Sequence, residues 1–352
     1  MRQMIFSVVV CFSSFAPVID CTKAWAQDSP DTIEKVPQAV ERVTSVSSRP
    51  ACQLRANLDF LDETGVGTSQ LSLTSAAWFA RMVQLDRQQR QAAWNSLPVK
   101  PLFIDDVIAG PFGLHATVLT FPEHVLVMYR GTQDPLDYVL NALIYTTPGW
   151  IHGLPGWIHN GFLSNFGMTW RKMRRLLKQR TEDGRDIVFA SHSLGGAMSQ
   201  YAAWRIENEG LHVRRIFAFQ SPNPGDQHFR RAFDERFYGR AFNTLYGDDL
   251  TPFLPPPRAA VGEFAQATAK LLAGPLALIA RIANYSSVGA RYAITKDGAL
   301  NDVTPEWDLE FWRSYKQKSG GKPFPMGLSA RSGLVADHNM DRVMCSLAKN
   351  QN

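Results

Sequence analysis

Apolar positions along this chain recur with two periods that take turns. From Thr74 to about Trp94, the residues Trp78, Phe79, Met82, Val83 and Leu85 share one broad face, which predicts a helix. Leu114–Phe121 and His124–Tyr129 read as strands joined tightly at Pro122-Glu123. Helical periodicity returns from Phe162 to about Arg180, gives way to the apolar run Ile187-Val188-Phe189-Ala190, and resumes to Gly210. Arg215–Phe219 and Ala241–Leu245 are further short strands. Strands alternating with helices imply an α/β protein, its mostly parallel central sheet covered by helices on both faces. The pattern holds no long-period repeat, only a near-tandem Gly149-Trp150-Ile151-His152 and Gly156-Trp157-Ile158-His159.

The polar stretch 27–65 carries neither period and reads as an N-terminal linker, leaving 66–352 as the folded domain. Before it, Arg2, the mostly apolar run Met4 to Ile19 and the triplet Ala24-Trp25-Ala26 form a secretory signal with cleavage expected after Ala26. The run is short for a membrane span. A lipoprotein reading through Cys21 fits less well, because Asp20 stands where a small residue is expected. Secretion or a periplasmic location follows as the expectation. Export would leave Cys52 and Cys345, which could pair as one disulfide or stay as two buried thiols.

With 352 residues, 45% of them hydrophobic, the chain can bury a large core. The net charge of +5 is modest and could favour an anionic surface such as phospholipid. No basic-aromatic interleaving points to nucleic acid. Neither H-E-x-x-H nor a paired Cys-x-x-Cys occurs, so the sequence calls for no metal and no cofactor. The basic run Arg171, Lys172, Arg174, Arg175, Lys178 and Arg180 reads as a solvated helix face.

Chemistry concentrates at Ser191-His192-Ser193-Leu194-Gly195. This resembles the Gly-x-Ser-x-Gly turn between a buried strand and a helix, with serine in place of the first glycine. The flanking positions must be small because strand and helix nearly touch there. Serine is one hydroxymethyl larger than glycine, and Gly195, Gly196 and Ala197 leave room on the helix side. Ser193 is then the candidate nucleophile, and the backbone N–H of Leu194 one oxyanion donor. In the order Ser, acid, His the base must follow the serine, and only His338 lies beyond residue 228. The orienting acid falls at a strand end between them. Asp248 and Asp249 both qualify after Ala241–Leu245, ahead of Asp226 and Asp302.

Five ordered blocks resemble the class 3, fungal-type lipases of the α/β-hydrolase superfamily. They are Tyr129-Arg130-Gly131-Thr132, Ile158–Leu163, Ser191–Ala197, Ser221-Pro222 with Gly225-Asp226, and Asp249–Pro256. The resemblance, spread from about Pro101 to Leu347, implies an α/β-hydrolase fold and selects Asp249 over Asp248. It also implies Thr132 as the second oxyanion contact, and a further block at Tyr285 to Ile294. In such lipases the region corresponding to 133–157 is a lid, here carrying Trp150 and Trp157, suited to transient contact with a lipid interface. An apolar insertion at 257–283 could line an acyl pocket, touch a membrane or pack as core. The expected activity is ester hydrolysis on lipids, triacylglycerol or phospholipid. A soluble carboxylesterase is the alternative, and a non-catalytic binding module fits poorly with a complete Ser, Asp and His set.

Overall fold

The computed structural model describes residues 52, 57–109, 114–131, 146–257, 284–304, 306–318 and 336–349. The chain divides into two compact units, Met1–Ser48 and Arg49–Asn352. The first, with its expected signal segment, lies outside the described residues, as do 258–283 of the apolar insertion.

The second unit is built on an eight-stranded sheet in the order β1-β2-β3-β6-β7-β9-β11-β12. Its strands are β1 (Phe103–Ala109), β2 (Leu114–Thr120), β3 (His124–Tyr129), β6 (Asp186–His192), β7 (Val213–Phe219), β9 (Ala241–Tyr246), β11 (Ala290–Ile294) and β12 (Leu300–Asp302). The five from β3 to β11 run parallel, and β1, β2 and β12 attach antiparallel at the edges. Parallel strands need crossovers, and the crossovers put helices over the faces.

Strand periodicity decides which helix each residue meets. Val125, Val127 and Tyr129 of β3, with Ile187 and Phe189 of β6, pack on one face. There they meet α4 (Asn160–Arg180), α5 (Leu194–Glu207) and α6 (Gln227–Arg236). Leu126, Met128, Val188 and Ala190 point the other way. They meet α1 (Asp59–Asp62), α2 (Gln70–Met82), α3 (Arg87–Asn95) and α8 (Met340–Ala348). Helix α7 (Glu306–Lys318) packs Phe311 flat on Phe253, ring centroids 3.7 Å apart.

The helix expected over 74–94 is two helices. The first ends at Met82, and Asp86 starts the second by accepting the N–H of Gln89, which caps α3. Leu85, Ala93 and Trp94 nevertheless join the same core as α2, so the apolar period runs through the break. Strand β1 was not anticipated. It is an edge strand that leaves Phe103, Ile104 and Ile108 exposed, so it lacks a clean buried face.

A second sheet, β10-β8-β5-β4, joins β4 (Thr146–Pro148), β5 (Trp157–His159), β8 (Gly225–Asp226) and β10 (Tyr285–Ser286). These strands of two or three residues are too short for a sequence period to reveal. The tandem falls on the β4–β5 hairpin and its two copies meet opposite fates. Trp150 and Ile151 are 62% and 67% exposed on the tip, whereas Ile158 and His159 are buried. His159 accepts the N–H of Phe162 and caps α4.

Of the basic run on α4, Arg174 and Lys178 pair with Glu209, and Arg180 makes a bidentate pair with Asp105 of β1. That face therefore ties α4 to its neighbours as well as meeting solvent. Cys52 and Cys345 form a disulfide that fastens residue 52 to α8. No helix among the described residues is long and apolar enough to cross a membrane.

Candidate active site

Strand β6 ends at His192, and α5 begins at Leu194, so Ser193 is the whole turn between them. Its backbone adopts φ 57° and ψ −134°, a conformation that L residues avoid. The N–H of Ser193 donates to Phe219 O and its carbonyl accepts from Gly196 N, so both neighbours of the turn hold the strained residue. Leu194 occupies the first helical position, where its N–H has no intrahelical acceptor and helix polarity favours negative charge.

Close packing explains the glycines. A Cβ on Gly195 would overlap the carbonyl of Tyr129, and one on Gly196 would lie 2.6 Å from Ser221 Cβ. A Cβ on Gly131 would sit 3.1 Å from both Ser193 Cβ and His192 O. The end of β3 therefore lies directly against the serine turn. Position 191 is different. Ser191 is fully buried, and its hydroxyl accepts the N–H of Tyr129 at 2.9 Å and the hydroxyl of Ser199 at 2.7 Å.

His338 comes from the loop before α8, whose cap is the adjacent Asn339. Its Nδ1 lies 2.8 Å from Asp249 Oδ2, and both side chains are buried. With a carboxylate as acceptor, the proton sits on Nδ1 and leaves Nε2 as an acceptor. Asp249 Oδ1 accepts the N–H of Thr251, which fixes the carboxylate's rotation. Ser193 Oγ and His338 Nε2 are both buried without a hydrogen-bond partner among the described residues. One is a donor and the other an acceptor.

The other sequence candidates fall elsewhere. Asp226 caps α6 through Phe229 N–H, and Asp302 lies at the exposed end of β12. Asp248 is half-buried and gives its N–H to Asp337. Thr132 lies outside the described residues. So does 133–145 of the expected lid, while its remainder is the β4–β5 hairpin. The hairpin tip reaches Arg205, which bonds His152 O. Arg205 is twelve residues along α5 from Ser193, about 18 Å at the α-helical rise. Trp150 and Trp157, edge to face at 5.7 Å, therefore lie well down α5 from the serine.

Sequence reasoning passed over four neighbours. The ring of His192 lies 4.5 Å, centroid to centroid, from that of His338. Gln84 donates to His192 Nδ1, so the proton on Nε2 goes to Gln220 Oε1, and Gln220 Nε2 donates to Asp337 O. Burial first, and the charge of His338 second, hold the His192 pKa well below its usual value. Asp337 joins the two loops that carry Asp249 and His338, accepting Asp248 N–H and pairing with Arg342. Its position directly before His338 was the one available signal. Gln84 and Gln220 carried none.

Residues 126–259 match the family model described as Lipase (class 3), which bears out the resemblance of the motif blocks. A curated Caenorhabditis elegans protein named Lipase ZK262.3 is 26% identical over 153 residues. The match covers 43% of this chain and 43% of that protein, so the chain spans less than half of the relative's length. Among solved structures, the lipase from Rhizopus microsporus var. chinensis superposes with a TM-score of 0.55 at 15% identity, covering 84% of this chain and 96% of that one. The native Rhizomucor miehei lipase propeptide complex gives 0.52 at 16%, over 70% and 79%. At such identities these likenesses show the fold, which is that of the α/β-hydrolases.

Proposed function

We propose that this chain of the class 3 lipase family is a serine hydrolase that cleaves carboxylic esters of lipids, triacylglycerol or phospholipid. Ser193 attacks the ester carbonyl as His338 Nε2 takes its proton. Asp249 holds the imidazole in the required tautomer and stabilises the imidazolium. The N–H of Leu194 and a contact from Thr132 receive the oxyanion. The alcohol leaves with the proton from His338, and water then cleaves the acyl-enzyme with His338 again as base. One observation carries this reading. A strained serine presents a buried Oγ with no hydrogen-bond partner among the described residues, and the ring of its neighbour His192 lies 4.5 Å, centroid to centroid, from that of His338, whose Nδ1 is held by a buried carboxylate. Export from the reducing cytosol belongs to the same proposal, supported by the Cys52–Cys345 disulfide.

The test is tributyrin hydrolysis across the ester's solubility limit by the protein from residue 27, with Ser193→Ala and His338→Ala beside it. Each variant is expected to lose roughly a million-fold in kcat, by the behaviour of serine hydrolase triads. Near wild-type turnover in Ser193→Ala overturns the assignment. A serine-dependent rate that jumps as droplets form supports a lipase. One that saturates in solution favours a soluble carboxylesterase.

A further inference from the structure

The paired ladder between β3 and β6 stops at Val127↔Phe189, although both strands run on to Tyr129 and His192. On its other edge β6 stays in register with β7 through Ser191↔Ala218 and His192↔Phe219. The sheet thus opens on one side only, its last pair lying four residues before Ser193. At the opening, Ser191 Oγ accepts Tyr129 N–H, the group that a continued ladder would have satisfied with a backbone carbonyl. Ser199, eight residues further on in α5, donates its hydroxyl to the same oxygen. One side-chain atom therefore joins β3, β6 and α5. Tyr129, Ser191 and Ser199 are each wholly buried, so no water can replace a lost partner without rearrangement.

What this junction holds is the approach of β3 to the nucleophile. Beyond Tyr129 the chain passes Gly131, where an added Cβ would come to 3.1 Å from Ser193 Cβ and from His192 O, so the turn would have to give way. Thr132, the proposed oxyanion contact, is three residues along the sequence from the tethered amide. Glycine, which the related motif carries at this place, offers no acceptor there. We infer that the Ser199–Ser191–Tyr129 hydrogen-bond chain is a positioning device, which fixes the oxyanion-binding end of β3 against the Ser193 turn in place of the missing ladder bond. The inference rests on the ester-hydrolase reading above. Ser191 touches no reacting atom and acts through the backbone of β3. Its removal therefore weakens stabilisation of the charged intermediate and leaves ground-state binding alone.

Ser191→Ala keeps the Cβ that the site already houses and deletes only the acceptor. It is expected to lower kcat on a soluble short-chain p-nitrophenyl ester by about 10- to 100-fold, the scale of small misplacements in an active site. KM should stay within about twofold on the same reasoning, because uniform binding is untouched. The acid limb of the pH–rate profile should not move, since His338 and Asp249 are not part of the chain. Ser199→Ala, which leaves the Ser191 acceptor in place, should cost less. Amide exchange at Tyr129 supplies a readout independent of turnover, with protection lost in Ser191→Ala and kept at Val127. Wild-type kcat in Ser191→Ala, a loss carried by KM, or unchanged Tyr129 exchange overturns the positioning role while leaving the hydrolase reading intact. Absence of any Ser193-dependent hydrolysis in the wild-type protein overturns the hydrolase reading, and the inference with it.

Discussion

His192 illustrates how a residue next to the proposed nucleophile can be committed to staying uncharged. Two amide side chains, Gln84 and Gln220, define its tautomer, and His338 lies against its ring. Because its folded pKa is depressed, neither state binds its proton well above pH 6.5, and its contribution there is flat. As pH falls below that value, the unfolded chain takes up a proton that the folded one refuses, and stability is lost by up to about 1.4 kcal/mol per pH unit. Denaturation midpoints measured from pH 7 down to pH 5 should therefore fall more steeply for the wild type than for His192→Gln. Parallel slopes would show that His192 charges in the fold. At this scale the sequence was legible where chemistry forces a residue type. Ser193 and His338 follow from motif and chain order, Asp249 is chosen over Asp248 by the family resemblance, and the structure brings His338 onto Asp249. The amides around His192 could not be read, because glutamine serves so many surface roles that its presence at 84 and 220 distinguishes nothing.

Between residues and the whole molecule, the apolar period reports which side of an element is buried, and says little about whether its backbone is continuous. Trp78, Met82, Leu85 and Trp94 all enter one core, so the run reads as a single helix. The first helix ends at Met82, with Val83 at its C-cap, and Asp86 starts the next by accepting Gln89 N–H. Asp86→Ala should cost about 0.5–2 kcal/mol, the usual loss for an N-cap carboxylate or hydroxyl. Chemical denaturation would measure it, and no change would mean that packing of Trp94 alone orders α3. The parallel strands were legible because burial on both faces makes their runs continuously apolar. The edge strand β1 and the short strands of the second sheet were not. The first exposes much of its apolar surface, and the others end before a period can repeat. The tandem Gly-Trp-Ile-His shows the same limit in another form. Identical letters meet solvent at one end of a hairpin and a core at the other, since only the second copy leads into α4.

For the whole molecule, the three residues of the proposed chemistry arrive from the ends of β6 and β9 and from the loop before α8, and each approach is fixed by a different means. The β6 turn is wedged by α5 and the end of β3. The loop after β9 is steadied by Asp337 and by α7, through Phe311 on Phe253. Helix α8 is bound to residue 52 by the disulfide, across a sequence separation of 293. The wedge at the β6 turn holds a backbone at residue 193 that its side chain does not favour. Strain of that kind costs on the order of 1–3 kcal/mol, and only the surrounding packing makes it persist. Ser193 is also a buried hydroxyl without a partner among the described residues, which adds to the cost. Glycine would relieve both, against a smaller loss from its freer unfolded chain. Ser193→Gly should therefore denature later than the wild type, by roughly 1 kcal/mol once these opposing effects are combined, while hydrolysing nothing. An equal or earlier midpoint would show that the turn is at ease with serine. At this one position, selection for turnover and selection for a durable fold pull in opposite directions, and the rest of the molecule absorbs the difference.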